Sequence, residues 1–177
     1  MVGAMPDDDR TVRKRALRVE LRRIRREITA DRADRHARSA RIWARIVSIA
    51  ELPRRAQVML FDGLATEPAT ESWFEWCAAN DVDAFVPEVD GPDLVVAPGG
   101  VDPAALDVVV VPGLAFTLDG RRLGQGGGHY DRFLPRLRAD CITIGACFAE
   151  QVIGDLPVEP HDRRVDHIAT DADQLPA

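Results

Sequence analysis

The 177-residue sequence is short of lysine, of long apolar runs and of paired cysteines. Of its 23 basic residues 22 are arginine, and Lys14 is the single lysine. A coding bias toward arginine accounts for the 22 but not for the one exception. No apolar stretch approaches the roughly 20 residues that cross a bilayer. The opening ten residues are acidic and polar and carry no apolar core of a signal peptide, so neither a secretory leader nor a membrane partner is expected. The three cysteines, Cys77, Cys141 and Cys147, form no CxxC pair and leave one over, which argues against a disulfide framework or a zinc site. A reducing cytoplasm suits them.

What is present is an ordinary globular composition, 46% hydrophobic and 29% charged. It predicts a single domain over 10–177 behind a flexible tail at 1–9, monomeric or weakly self-associating. The net charge of −6 hides an asymmetry. Residues 1–55 hold 16 basic and 8 acidic residues, whereas 56–177 hold 7 and 21. A basic arm raises the possibility of nucleic acid. This arm has no interleaved aromatic beyond Trp43 and no reader motif, which argues for a basic helical layer docked on an acidic body instead.

Periodicity predicts a helix over 10–28 with Leu17, Leu21, Ile24 and Ile28 on one stripe. Lys14, Arg18 and Arg22 then stack on one side. Thr29 is a candidate cap for a second helix near 30–50. Residues 57–62 read as a strand. Thr66, Glu67 and Pro68 read as the capped start of a third helix with Trp73, Phe74 and Cys77 in the core. Residues 83–86 read as a strand and 87–106, rich in Pro, Gly and Asp, as irregular connection with a short strand at 94–97. Four valines at 108–111 read as a central strand covered on both faces. A helix over 130–138, a buried strand over 141–148 and an edge strand near 165–170 complete the chain. The alternation predicts an α/β sandwich with a largely parallel sheet. Ligands then sit beyond the carboxyl ends of the strands, at the loops after Asp62, Val111 and Phe148.

The strongest local signal runs from Gly120 to Asp131, between a central strand and a helix. Five glycines in nine positions (Gly120, Gly124, Gly126, Gly127, Gly128) let backbone approach a ligand, and their N–H groups can cradle phosphate oxygens. Arg122 could grip a phosphate, and Asp131 could hold a hard cation such as Mg²⁺. The segment is neither a dinucleotide fingerprint nor a P-loop, since His129 stands where the former needs Gly or Ala and no Gly-Lys-Ser/Thr closes it.

Val111-Pro112-Gly113-Leu114-Ala115-Phe116, followed by Asp119-Gly120-x-Arg122-Leu123-Gly124-x-Gly126-x-Gly128-x-Tyr130-Asp131-Arg132, resembles the signature of the 5-formyltetrahydrofolate cyclo-ligase family. Lys14-Arg15-x-Leu17-Arg18 with Arg38-Ser39 resembles the family's opening helices. Leu156-Pro157-x-Glu159-x-His161-Asp162-x-x-Val165-Asp166 resembles its closing block. The likeness covers roughly 12–86 and 107–170. It implies a three-layer α/β/α sandwich and an enzyme that uses ATP and Mg²⁺ to close 5-formyltetrahydrofolate into 5,10-methenyltetrahydrofolate, releasing ADP and phosphate. It further implies ATP contacts from Lys14, Arg18, Arg122, Leu123, Gly124, Gln125, Gly126, Gly127, Gly128 and Tyr130, with Lys14 and Arg122 also catalytic. Folate contacts fall to Glu67 and His129, and metal contacts to Asp131 and Asp162.

Departures from the pattern are His129 in place of a tyrosine, Gln125 and Gly127 in place of bulkier or basic residues, and a shortened 87–106 connection. That connection lacks the family's usual apolar residue and Glu-Pro element. They point to a divergent member whose ATP half is kept and whose folate half is remodelled, or which takes another formyl or carboxyl compound. A nucleic-acid module built on the arginine arm is the remaining alternative.

Overall fold

The computed structural model describes residues 7–157 and 163–172. Helices α1 (Asp7–Ile28) and α2 (Arg32–Ala50) lead into strand β1 (Gln57–Met59) and helix α3 (Glu71–Ala79). Strands β2 (Asp83–Asp90), β3 (Asp93–Ala97), β4 (Val108–Pro112), β5 (Ala115–Phe116) and β6 (Arg122–Leu123) follow. Helix α4 (His129–Phe133) and strands β7 (Ile142–Ala146) and β8 (His167–Ala169) complete the chain. The main sheet has the order β3-β2-β1-β4-β7-β8 and is parallel except for the β2–β3 pair. β5 and β6 form a separate antiparallel hairpin.

β4 is central, as its four valines predict, and all four are buried. Alternate side chains serve opposite faces. Val108 and Val110 pack with Ile42 and Ile46 of α2 and with Trp73 and Cys77 of α3. Val109 and Val111 pack with Phe133, Leu134 and Leu106. The sheet thus lies between two helical layers, the second of them short. Among the described residues, α1 reaches the α2–α3 layer only through Ile28 at its end. Leu17, Leu21 and Ile24 seat it on Leu114, Ala115 and Leu123 of the β5–β6 hairpin, which brings Lys14, Arg18 and Arg22 to the glycine-rich loop.

Several boundaries differ from the sequence reading. α1 begins at Asp7, so residues 7–9 are helical. Asp31, not Thr29, caps α2 by accepting from the N–H groups of Ala33 and Asp34. The Thr29 hydroxyl instead donates back to the Arg25 carbonyl. Thr66, Glu67 and Pro68 precede α3, whose N-cap is Thr70. The expected short strand at 94–97 is β3, but the residues before it are not irregular: β2 continues to Asp90 and turns at Gly91-Pro92 into β3, and only 98–106 remain connection with a 3₁₀ turn over Pro103–Ala105. Pro, Gly and Asp mark the turn of this hairpin rather than a loop. The helix expected over 130–138 stops at Phe133 and gives way to a 3₁₀ turn over Leu134–Arg136, where Pro135 cannot supply an α-helical N–H.

Candidate active site

One cavity of about 550 Å³ opens where the carboxyl ends of β1 and β4 meet α1 and the loop after β6. From the first helix come Lys14 and Arg18; after β1 come Phe61, Asp62, Leu64 and Glu67; after β4 come Pro112 and Gly113. The glycine-rich segment contributes Arg122 through Gln125 and on through Asp131, and the β2–β3 hairpin contributes Pro87, Val89 and Leu94. The loop after Phe148 does not line it. Gln151 from that loop instead donates to the carbonyls of Gly113 and Leu114 and braces the β4 exit. Among the described residues, the cavity therefore gathers every residue for which ATP, folate or metal contact is expected, but not Arg22 or Gly120. Asp162 and His161 lie outside the described residues.

Two kinds of surface face this space. One is basic and rich in backbone. Lys14 is 8% exposed. Arg18 Nε donates to the Gly124 carbonyl at 3.0 Å, so this arginine holds the loop as well as facing the cavity. Arg122 Nη2 meets Asp131 Oδ1 at 2.7 Å, and its guanidinium lies 5.4 Å from the Tyr130 ring centroid. Arg122 Nε and Tyr130 Oη are buried and have no hydrogen-bond partner among the described residues. Burial pushes the Tyr130 phenol well above its ordinary value, against the pull of Arg122 and with a further push from Glu67. Tyr130 thus stays a neutral donor. Buried polar atoms without partners are uncommon in folded chains, and in a cavity they are points a ligand can satisfy.

The other surface is mostly apolar, made of Phe61, Leu64, Pro87, Val89 and Leu94, with the carboxylates of Asp62 and Glu67 among them. Glu67 is fixed from every side. Arg25 Nη1 donates to its Oε1 at 3.1 Å, and the Leu64 N–H donates to its Oε2 at 3.2 Å. Arg35 Nε donates to its carbonyl at 2.7 Å and Arg35 Nη2 to that of Leu64 at 3.0 Å. The loop is tight because Gly63 passes close to Pro68: a Cβ at 63 would lie 2.4 Å from the Pro68 carbonyl oxygen.

His129 faces the hairpin. Its Nδ1 lies 2.9 Å from the Pro92 carbonyl, which Arg132 also contacts through Nε and Nη2. The hairpin tip is therefore tied to the start of α4. No cluster of three or more His, Cys, Asp or Glu side chains able to hold a metal ion is present among the described residues. Asp131 is committed to Arg122. Such a donor set fits a magnesium ion that arrives bound to phosphates and water, not one caged by protein.

Arg25, Arg35 and the hairpin's apolar residues escaped the sequence reading. The arginines were two among many on a basic arm, and only long-range contacts reveal their partners. The hairpin's alternation of Val89 and Pro87 was hidden by the turn residues around it.

The family model for the 5-formyltetrahydrofolate cyclo-ligase family matches residues 93–171. A curated 5-formyltetrahydrofolate cyclo-ligase of Mus musculus is 40% identical over 67 residues, which cover 36% of this chain and 33% of the relative. The matched stretch thus spans about a third of that relative's length. The solved structure of a 5,10-methenyltetrahydrofolate synthetase from Mycoplasma pneumoniae superposes with a TM-score of 0.79 at 25% identity, covering 90% of this chain and 99% of that one. That of Aquifex aeolicus gives a TM-score of 0.76 at 26% identity over 89% of each chain. In motif and in topology, the chain is thus similar to 5-formyltetrahydrofolate cyclo-ligases.

Proposed function

We infer that this protein is an ATP- and Mg²⁺-dependent cyclo-ligase that converts 5-formyltetrahydrofolate into 5,10-methenyltetrahydrofolate. The observation that carries the reading is the pairing, in one cavity, of a basic glycine-loop surface with an apolar surface built around a fixed carboxylate. The first suits phosphates and the second a flat heterocycle with N–H donors. The γ-phosphoryl of ATP passes to the formyl oxygen and ADP leaves. N10 attacks the activated carbon, the C–O bond to phosphate breaks, and phosphate departs as the methenyl bridge closes. No protein nucleophile is needed, so the chain's work is positioning and charge stabilisation.

Lys14 and Arg122 face the charge that moves between the two substrates. The N–H groups of the loop, with Gly124, Gln125, Gly126, Gly127 and Gly128, hold the nucleotide phosphates, and Arg18 orients that loop. Leu123 and Tyr130 complete the nucleotide side. Glu67 accepts hydrogen bonds from the pterin N–H groups, and Pro87, Val89 and Leu94 cover its ring. Asp131, with Asp162 as the second expected contributor, would hold a magnesium ion that arrives on the nucleotide, and that ion would supply neutralisation of phosphate charge. The β2–β3 hairpin supplies the apolar surface that the shortened connection left in question, so a remodelled folate half still has a wall. A cytoplasmic setting suits three cysteines that are all free and buried. Among the described residues no helix is long and apolar enough to cross a membrane.

The test is the cyclisation itself. Purified protein with 5-formyltetrahydrofolate, ATP and Mg²⁺ should produce the methenyl chromophore, with ADP formed in equal amount. No chromophore at high enzyme concentration while ATP still binds would assign the cavity to another formyl or carboxyl compound.

A further inference from the structure

The glycine-rich loop is held from outside the cavity by two arginines that do not line it. Arg22 Nη2 donates to the Gln125 carbonyl at 3.0 Å, and its Nε donates to Gln125 Oε1 at 3.3 Å. Arg132 Nη2 donates to the Gly127 carbonyl at 2.9 Å. Across a trans peptide the carbonyl of one residue and the N–H of the next point in opposite directions. A carbonyl drawn toward Arg22 therefore turns the Gly126 N–H the other way, and a carbonyl drawn toward Arg132 does the same for Gly128. Neither arginine is a lining residue of the cavity, whereas Gly126 and Gly128 both are. No hydrogen bond among the described residues is donated by the N–H of Gly126 or Gly128. The backbone supports the same geometry. Gly126 and Gly128 have φ of 113° and 67°, while Gln125 and Gly127 between them stay out of the left-handed region. Such alternation turns neighbouring N–H groups toward one side and makes a concave anion site.

We propose that Arg22 and Arg132 are positioning residues that aim the Gly126 and Gly128 amides at the phosphates of the nucleotide by pinning the carbonyls on the far side of the loop. This rests on the nucleotide reading given above. Arg22 does not line the cavity, so its effect belongs to the backbone it holds. Arg132 also ties down Pro92 at the hairpin tip, so it serves both surfaces of the cavity.

Calorimetric titration with Mg·ADP and, separately, with 5-formyltetrahydrofolate tests this. Arg22→Ala should weaken ADP roughly fivefold, the loss expected for one orienting hydrogen bond. Its affinity for 5-formyltetrahydrofolate should remain that of the wild type. Arg22→Lys, which can still donate to the Gln125 carbonyl, should recover most of the loss. Arg132→Ala should weaken both ligands. Melting temperatures should stay close for Arg22→Ala, since Arg22 is exposed. ADP binding unchanged in Arg22→Ala, or no recovery of affinity in Arg22→Lys, overturns the proposal while leaving the nucleotide reading intact. A wild-type protein that binds no ADP overturns both.

Discussion

Arg25 on α1 and Glu67 in the loop before α3 form an ion pair at 3.1 Å with side chains 3% and 7% exposed. Burial pulls the guanidinium below its ordinary value and Glu67 works against that pull. The pair joins the N-terminal helix to the apolar surface of the cavity, so the stability of the fold and the shape of the cavity meet in the same two side chains.

Removing one partner should therefore cost far more than removing both. Arg25→Met strands a buried carboxylate and should lower unfolding free energy by about 3–5 kcal/mol in denaturant melts. The double variant Arg25→Met with Glu67→Leu should recover much of that loss while binding 5-formyltetrahydrofolate poorly. A near-native melt for Arg25→Met alone would mean that the pair contributes little.

Lys14 separates charge from shape. It is buried and faces the cavity, and its compact ammonium fits where a planar guanidinium fork needs more room. Lys14→Ala should raise the KM for ATP roughly tenfold or more, the value of a charge-assisted contact. The KM for 5-formyltetrahydrofolate should change little. Lys14→Arg should recover little of the loss despite keeping the charge. Steady-state kinetics with each substrate varied in turn measures this, and an unaltered ATP dependence in Lys14→Ala would remove Lys14 from the phosphate site.

Gly63 tests the loop that presents Glu67. A Cβ there would sit 2.4 Å from a backbone oxygen, which cannot swing aside as a side-chain tip can. Gly63→Ala should cost about 1–3 kcal/mol by overpacking. Because the displaced segment carries Glu67, it should also raise the KM for 5-formyltetrahydrofolate more than that for ATP. Equal effects on both substrates would show a general loss of fold instead.

The fold was legible wherever one period dominated. Four consecutive valines marked the central strand, and the 4-3-4 spacing of Leu17, Leu21, Ile24 and Ile28 marked α1. The glycine loop was legible because so many glycines between Arg122 and Asp131 have few structural uses. The hairpin over residues 83–97 was legible only in part: strands were read at 83–86 and 94–97, but Pro87, Gly91 and Pro92 hid the continuation of β2 to Asp90 and its direct turn into β3. Arg25 was not legible. On the sequence it is one of nine basic residues in the first helix, and its role depends on a partner 42 positions away. Local pattern finds elements and loops, whereas the pairs that join them are fixed only by the tertiary fold.

Asp107 gives the chain a pH-dependent anchor well away from the cavity. Its Oδ2 accepts from the Gln57 N–H at 2.7 Å and its Oδ1 from Arg138 Nη2 at 2.5 Å, joining the start of β1 to the segment after α4. Burial pushes this carboxyl up, but those two hydrogen bonds and the charge of Arg138 outweigh it and hold the group below its ordinary 3.8. A carboxyl with a depressed folded value stabilises the fold above the unfolded value, and the contribution disappears as pH falls through the folded one. Asp107→Asn should therefore be less stable than the wild type by roughly 1 kcal/mol near neutral pH, a small figure because the side chain is about one-third exposed. The gap should hold from neutral pH down to about pH 4 and close below it. Melting temperatures of both proteins across that range measure it, and a gap that stayed constant into strong acid would show that the asparagine loses packing or backbone hydrogen bonding rather than charge.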